Sequence, residues 1–236
     1  MMNTLYDNDA LVAEYTYAAL VRGVDIFQIW KYGPTDREHC EWLLRRAIFP
    51  LDAYVLDIAC GVGSVALTMM GRRPDLHFAL HNISLNQLNL CPPGLKKYRG
   101  SMDTLTNVPD QTFDAAMVCY ALGHVGRLAA FFTNVARVLK PGGMLFIYDV
   151  LPEPGNEQWM KDELEYNTYT IADICKAVAV TESLQLIHVY SLDKCEFNVK
   201  DFGSVCGPVM ANEAISKTKP VAYRFRKRQG LCSSTN

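Results

Sequence analysis

Apolar positions along this chain change period repeatedly. Short runs rich in β-branched and aromatic residues, of strand length, alternate with longer stretches whose apolar residues recur three and four apart, as on one face of a helix. The runs predict strands at Tyr54–Ile58, His77–Ile83, Lys97–Arg99, Asp114–Cys119, Met144–Val150, Leu186–Tyr190 and Val221–Arg226. The stretches between them predict helices over Ala10–Ile29, Asp36–Ile48, Ser64–Met70, Arg127–Leu139, Glu157–Glu165 and Ile171–Glu182. Such alternation is the pattern of an α/β fold around a mostly parallel sheet.

Two boundaries have local causes. "LKPGG" (Leu139 to Gly143) stops a helix with proline and supplies glycines for the turn into the strand at Met144. "LPEPGN" (Leu151 to Asn156) cannot continue a strand, so a loop is expected directly after Val150. Parallel sheets bind ligands outside the carboxyl ends of their strands, which makes the segments after Ile58, Ile83, Cys119 and Val150 the site candidates.

Composition narrows the class. The 236 residues suffice for one large domain; half are apolar, a fifth are charged and the formal net charge is −2. That balance exerts no global pull on nucleic acid or anionic membrane, and only "RFRKR" (Arg224 to Arg228) is locally basic. Arg224, Arg226 and Arg228 alternate along the final strand and read as one solvated face. The eight cysteines form no C-x-x-C pair and no short cluster with histidine, so they read as reduced thiols with no metal site. With acids near the N-terminus and no long apolar run, neither a secretory signal nor a membrane span is expected, and the expected location is cytoplasmic.

"VLDIACGVGSVALTMM" (Val55 to Met70) carries the densest chemical signal. Gly61, Gly63 and Ala66 satisfy G-x-G-x-x-A, a pattern that serves dinucleotides. Its register is wrong for that use: a diphosphate needs the first glycine directly after the strand, whereas here Asp57 occupies the strand end. An acid there suits a cationic ligand.

This turn resembles motif I of the class I S-adenosylmethionine (SAM)-dependent methyltransferases. "PDQTFDAAMVCYALGHVGRLAAFFTNVARVLKPGGMLFIYDV" (Pro109 to Val150) is similar to the family's fourth strand, helix and fifth strand, so the resemblance covers about Tyr54 to Val150. It implies a Rossmann-like fold with one central seven-stranded sheet, an antiparallel last strand and a helical N-terminal lid. The divisions it suggests are 1–50 for the lid, 51–150 for the SAM-binding core, and 151–236 for the substrate loop and final strands, all in one domain. By the same resemblance Asp57, Ala59, Cys60, Gly61, Gly63, Asn82, Ile83, Gln87, Ser101, Met102, Cys119 and Tyr120 contact SAM, whose product is S-adenosylhomocysteine. The family's ribose-binding acid falls on Asn82 and its adenine-binding acid on the "GSM" of Ser101 and Met102, so two charge-assisted hydrogen bonds are expected to be missing. "NLCPPGLKKY" (Asn89 to Tyr98) leaves room for less helix than the family has there.

"NISLNQL" is similar to the branch holding cyclopropane fatty acid synthases, tocopherol methyltransferases and isoprenyl diphosphate C-methyltransferases, and "IFQIWKYG" to that branch's entry segment. The implied acceptor is an electron-rich carbon of a small lipophilic molecule, with developing positive charge held by aromatic faces. Tyr15, Tyr17, Trp30 and Tyr32 are the candidates, Trp30 and Tyr32 foremost; packing on a helix is the alternative for the first two. Arg22, Lys31 and Arg37 are available should the acceptor carry a diphosphate. His124 and then Glu153 are the candidate proton acceptors. Two other readings stay open: an O- or N-methyltransferase of a polar metabolite, and a non-catalytic SAM-binding partner protein. The expected partner is a small molecule, with no nucleic acid and no stable membrane insertion, and homo-oligomerisation is left open.

Overall fold

Strand β2 (Tyr54–Ile58) is buried from Val55 onward and pairs on both sides, which makes it the natural centre of the sheet. The computed structural model describes residues 30–193, 197–198 and 208–229. Around β2 the seven-stranded order is β4 (Lys96–Arg99), β3 (His77–Asn82), β2, β5 (Phe113–Cys119), β6 (Leu139–Pro152), β9 (Thr218–Lys227) and β7 (Leu184–Ser191). The pairs from β4 through β6 are parallel, and β9 runs antiparallel to both β6 and β7. Chain order reverses between β2 and β5, so the loops leaving these two strands diverge and open a crevice at their carboxyl ends. This is the Rossmann-like sheet, with its last strand antiparallel, that the alternation and the resemblance together led us to expect.

Each face of the sheet carries a core. Leu56, Ile58, Ala116 and Val118 point to one side, where they meet helix α4 (Leu128–Val138) through Phe131 and Phe132 and helix α6 (Ile171–Thr181) through Ile174. Val55, Ala115 and Met117 point to the other, against Trp42 and Leu43 of helix α1 (Asp36–Ala47) and Met69 of helix α2 (Ser64–Arg72). The period of two along each strand thus fixes the register, because a one-residue slip would exchange the two layers. Capping boxes start two of these helices: Thr35 with Glu38 for α1, and Thr170 with Asp173 for α6.

Several boundaries differ from the sequence reading. β6 continues through Leu151 and Pro152, because the β9 ladder extends along it to Thr218, so the loop leaves two residues later than expected. A short helix α3 (Leu85–Leu90) does form between β3 and β4; Ser84 caps it, and Pro92 and Pro93 stop it. Helix α5 (Glu157–Leu164) lies where it was predicted. Helix α7 (Pro208–Lys217) and the two-stranded ribbon of β1 (Lys31–Tyr32) with β8 (Phe197–Asn198) were not anticipated. The predicted helix at Ala10–Ile29, with Tyr15, Tyr17 and Arg22, lies outside the described residues. On β9, Phe225 is fully buried while Arg226 is exposed and Arg224 half-buried, so the basic stretch is one strand with a core face and a wetter face. Among the described residues no helix is long and apolar enough to cross a membrane.

Trp30 ties the start of the described chain to the sheet. Its indole Nε1 donates to Thr218 Oγ1 at 2.9 Å, and its carbonyl accepts from the hydroxyls of Tyr148 and Tyr120. Replacing Thr218 by valine keeps the shape and removes that buried acceptor. The same hydroxyl also donates to Ala214 O at 2.6 Å, so the expected loss is about 2 to 3 kcal/mol in urea-unfolding stability, the size of two buried hydrogen bonds broken.

Candidate functional site

The turn after β2 is held in a conformation that favours glycine. Ala59, Gly61 and Gly63 all have φ between +57° and +80°. At Gly63 the φ of +80° favours glycine, and a Cβ would sit a tight 3.0 Å from Leu80 Cδ1; Gly63 then opens α2 by accepting from the amide of Leu67. At Gly61 a Cβ would meet nothing within 4 Å, so this residue faces open space. The turn is fastened from behind, with Cys60 N donating to His81 O at 3.0 Å and Asn82 Nδ2 donating to Gly61 O at 3.2 Å.

Asp57, on the same strand, is 2 % exposed, and its Oδ2 accepts no hydrogen bond. Desolvation raises its pKa well above the ordinary carboxylate value. A buried acceptor left open beside a turn that faces a cavity is a place for a donor, above all a cationic one.

The cavity itself encloses about 180 Å³ at the carboxyl ends of β2, β3, β4 and β5. Its walls include nine of the residues named from sequence: Ala59, Gly61, Asn82, Ile83, Gln87, Ser101, Met102, Tyr120 and His124. His81, Gly100 and Ala121 complete the lining and were missed. Asp57, Cys60, Gly63 and Cys119 are outside the lining: Asp57 is buried on β2 just before the turn, Cys60 and Gly63 support the turn, and Cys119 ends β5 just before Tyr120.

The residues at the positions of the two missing acids are occupied locally. Asn82 donates to Gln87 Oε1 at 2.6 Å as well as to Gly61, and its Oδ1 accepts from the Ser84 amide at 3.4 Å. Two acceptors on Nδ2 are a task an aspartate could not perform. Ser101 Oγ accepts from the Asp103 amide at 3.2 Å, which turns the chain after β4. Asp103 is an acid close to the expected adenine position, yet its Oδ1 accepts from the amide of Gly126 at 3.0 Å and it does not line the cavity.

His124 closes the far wall on a short 3₁₀ turn, Leu122–His124. Asp149, fully buried on β6, anchors that turn by accepting from the Leu122 amide at 2.7 Å and from the Tyr166 hydroxyl at 2.5 Å. Tyr166 then lies edge-on to His124, ring centroids 4.8 Å apart, and covers Gly123 so closely that a Cβ there would fall 2.1 Å from its ring. Neither Asp149 nor Tyr166 was singled out from sequence; an acid inside an otherwise apolar strand was the available signal for the first.

Three expected catalytic residues are placed elsewhere. Trp30 is 2 % exposed and held on both its indole and its carbonyl, which makes it a core residue instead of one wall of an aromatic cage. Tyr32 stacks on Trp42 at 5.6 Å, on the α1 side of the sheet. Glu153 pairs with Lys219 at 3.3 Å, because β6 runs on beside β9 and carries it beyond the cavity. Lys31 is buried and Arg37 pairs along α1 with Glu41, so neither forms a basic pocket with the cavity. Among the described residues no three His, Cys, Asp or Glu side chains converge as a metal site would require.

Burial also sets the charge of the imidazoles. It pushes His81 and His124 down to about 4, and His39 to about 3, so all three are neutral at pH 7. A depressed folded pKa contributes stability above the unfolded value, near 6.5, that is lost as pH falls through the folded value. Asp149, raised by burial to about 6, acts in the opposite sense: its contribution is complete below the unfolded carboxyl pKa and is lost as pH rises through 6. His81 has no hydrogen-bond partner on either ring nitrogen, so His81→Leu isolates one imidazole. Between pH 7 and pH 4.5 the wild type should lose about 2 kcal/mol more unfolding free energy than this variant, read from urea titrations at the two pH values.

Comparison with known proteins agrees with this geometry. Residues 56–147 match the family described as Methyltransferase domain. A demethylmenaquinone methyltransferase of Tropheryma whipplei (strain Twist) is 32% identical over 97 residues, 39% of this chain and 40% of that protein. The sterol 24-C-methyltransferase erg-4 of Neurospora crassa is 25% identical over 67% of this chain and 46% of its own. The chain thus spans less than half the length of these curated relatives. Among solved structures, geranyl diphosphate C-methyltransferase from Streptomyces coelicolor A3(2), in complex with Mg2+, geranyl diphosphate and S-adenosyl-L-homocysteine, superposes with a TM-score of 0.65 at 14% identity, covering 81% of this chain and 80% of that one. Residues 56–147 thus carry the likeness to a methyltransferase domain, and the chain shares its Rossmann-like fold with that solved methyltransferase.

Proposed function

We propose that this protein binds SAM in the cavity at the carboxyl ends of β2 to β5 and transfers its methyl group to a small, lipophilic, isoprenoid-like acceptor. The observation that carries the reading is Asp57: a buried carboxylate with an open acceptor, next to a glycine turn whose Gly61 faces free space. That pairing fits an amino-acid cation joined to a nucleoside and does not fit a diphosphate. When bound, SAM supplies an activated methyl group for in-line displacement.

The chain's own residues then position and desolvate. Asp57 takes the ammonium; Gly61 lets backbone approach; Asn82, through its side-chain carbonyl, with Ser101 and Met102 borders the ribose and adenine. The Asn82 carbonyl has one weak partner at 3.4 Å, so it retains capacity for a hydroxyl. Tyr120 and His124 face the place where the methyl emerges. His124 is neutral at pH 7 and weakly basic, so it suits a proton made acidic by reaction better than an unactivated one. The relatives' names, a demethylmenaquinone, a sterol and a geranyl diphosphate C-methyltransferase, support an unsaturated lipophilic acceptor. An O- or N-linked acceptor is the reading that His124 beside the cavity would favour instead. Reduced thiols at Cys40, Cys60, Cys91, Cys119 and Cys175 are consistent with a reducing, cytoplasmic setting.

The test is incubation with SAM tritiated at its methyl, against prenyl diphosphates, quinones, sterols and phenols. Label should pass into an organic-extractable product with at least one of these. Bound SAM with no transfer to any class would favour the non-catalytic reading, and transfer only to polar amines or hydroxyls would favour the alternative enzyme. Restoring the family's acid by Asn82→Asp should weaken SAM binding severalfold, because it sets a carboxylate against the Gly61 and Gln87 oxygens that Asn82 now donates to. A tighter complex in this variant, measured by calorimetry, would remove that account of Asn82.

A further inference from the structure

Beneath the glycine turn lies a pair of thiols that the proposed transfer does not use. Cys60 follows the positive-φ residue Ala59, and Cys91 ends helix α3 at the foot of the same turn. Their sulfurs converge on one atom: Cys60 Sγ lies 3.4 Å and Cys91 Sγ 3.5 Å from Gly61 O. Both are free cysteines, both are buried, and the Cys91 sulfur also reaches the carbonyl of Gln87 at 3.3 Å. The Cys91 backbone is fixed in turn by Lys97 Nζ, which donates to its carbonyl at 2.8 Å.

We propose that Cys60 and Cys91 are a modification site: peroxide converts them to a disulfide that reshapes the Gly61 turn and weakens SAM binding. The reaction is two thiols with one hydrogen peroxide giving one disulfide and two waters. The Cys91 thiolate attacks one peroxide oxygen, the O–O bond breaks, and a first water leaves with a proton, leaving Cys91 as sulfenic acid. The Cys60 sulfur then attacks the Cys91 sulfur; the S–O bond breaks, and the departing hydroxide takes the Cys60 proton as the second water. Sulfur is oxidised and peroxide oxygen reduced.

The order of attack follows from the surroundings. The neighbouring Cys60 thiol and the nearby Lys97 charge hold the Cys91 thiol below its ordinary value. Cys60 is held above its own by the same hydrogen bond, by burial and by Asp57. Burial of both sulfurs leaves peroxide, a molecule little larger than water, a better oxidant than a bulky disulfide.

The consequence falls on the turn. A disulfide draws the sulfurs to about 2.05 Å and removes both S–H donors, so Gly61 O keeps only the Asn82 amide of its three side-chain neighbours. Gly61 is the residue whose open side faces the cavity, and the two thiols are its support from behind.

This effect on SAM rests on the proposed function, so the test reads the pair with and without ligand. Folded wild-type protein is treated with a few equivalents of peroxide, then digested without reduction for peptide mapping. Hydrogen exchange at residues 60–66 and the SAM dissociation constant are measured before and after. The proposal expects a Cys60–Cys91 linked peptide, faster or slower exchange confined to the turn, SAM binding at least tenfold weaker, and recovery of all three with dithiothreitol. Cys91→Ser, and Cys91→Ala should the serine variant fold poorly, must lose the peroxide response whatever their starting affinity. No linked peptide, or a linked peptide with unchanged turn exchange and unchanged affinity, overturns the proposal. A linked peptide and altered exchange in a protein that never binds SAM would preserve the site and overturn the proposed function instead.

Discussion

The carbonyl oxygen of Gly61 is the point on which the site depends. A chain leaving a central parallel strand must turn back over the sheet's carboxyl edge, and here three residues do so with positive φ. Left-handed backbone at a non-glycine residue such as Ala59 is costly, so the conformation persists only because its surroundings over-determine it. The Asn82 amide and two thiols approach Gly61 O from behind, while Cys60 N reaches across to His81 O on the neighbouring strand. With the turn fixed from one side, its other side stays open to a ligand.

The remaining walls repeat this logic of support from behind. Asp149, buried in β6, holds the turn that bears His124; Asp103 holds the loop after β4 to the Gly126 amide. Each carboxylate is used on backbone and keeps its acceptors away from the cavity. Asp57 is the exception, with one oxygen open, and its proposed part in binding a ligand rests on that difference. The imidazoles at the edge, His81 and His124, are neutral for the same reason that Asp57 holds its proton more tightly than usual: each group is itself buried. Charge arriving on a ligand is therefore felt strongly there.

Much of the sheet was legible because strand period, glycine turn and "LKPGG" are local signals that the tertiary fold does not override. The turn at Gly61 was legible in its glycines after the strand, and Asn82, Ile83 and Gln87 of the cavity wall were legible only through the family resemblance. What was not legible came from long-range partners. Trp30 and Tyr32 looked like a cage because aromatic residues beside Gly33 and Pro34 suit a lid, yet Thr218 and Trp42, distant or on another element, decide where their rings lie. Glu153 looked like a loop base because Leu151 and Pro152 read as strand breakers; the β9 ladder carries the strand past them. Asn82 looked like a depleted acid, and only its contacts with Gly61 and Gln87 show an amide doing what a carboxylate could not.

The most direct measurement is calorimetric titration of the reduced protein with SAM, beside the Asp57→Asn variant and beside a nicotinamide dinucleotide. The account predicts one SAM bound per wild-type chain, binding at least tenfold weaker in the variant, and none for the dinucleotide. No heat from SAM at millimolar concentration, or a dinucleotide bound more tightly than SAM, would contradict it.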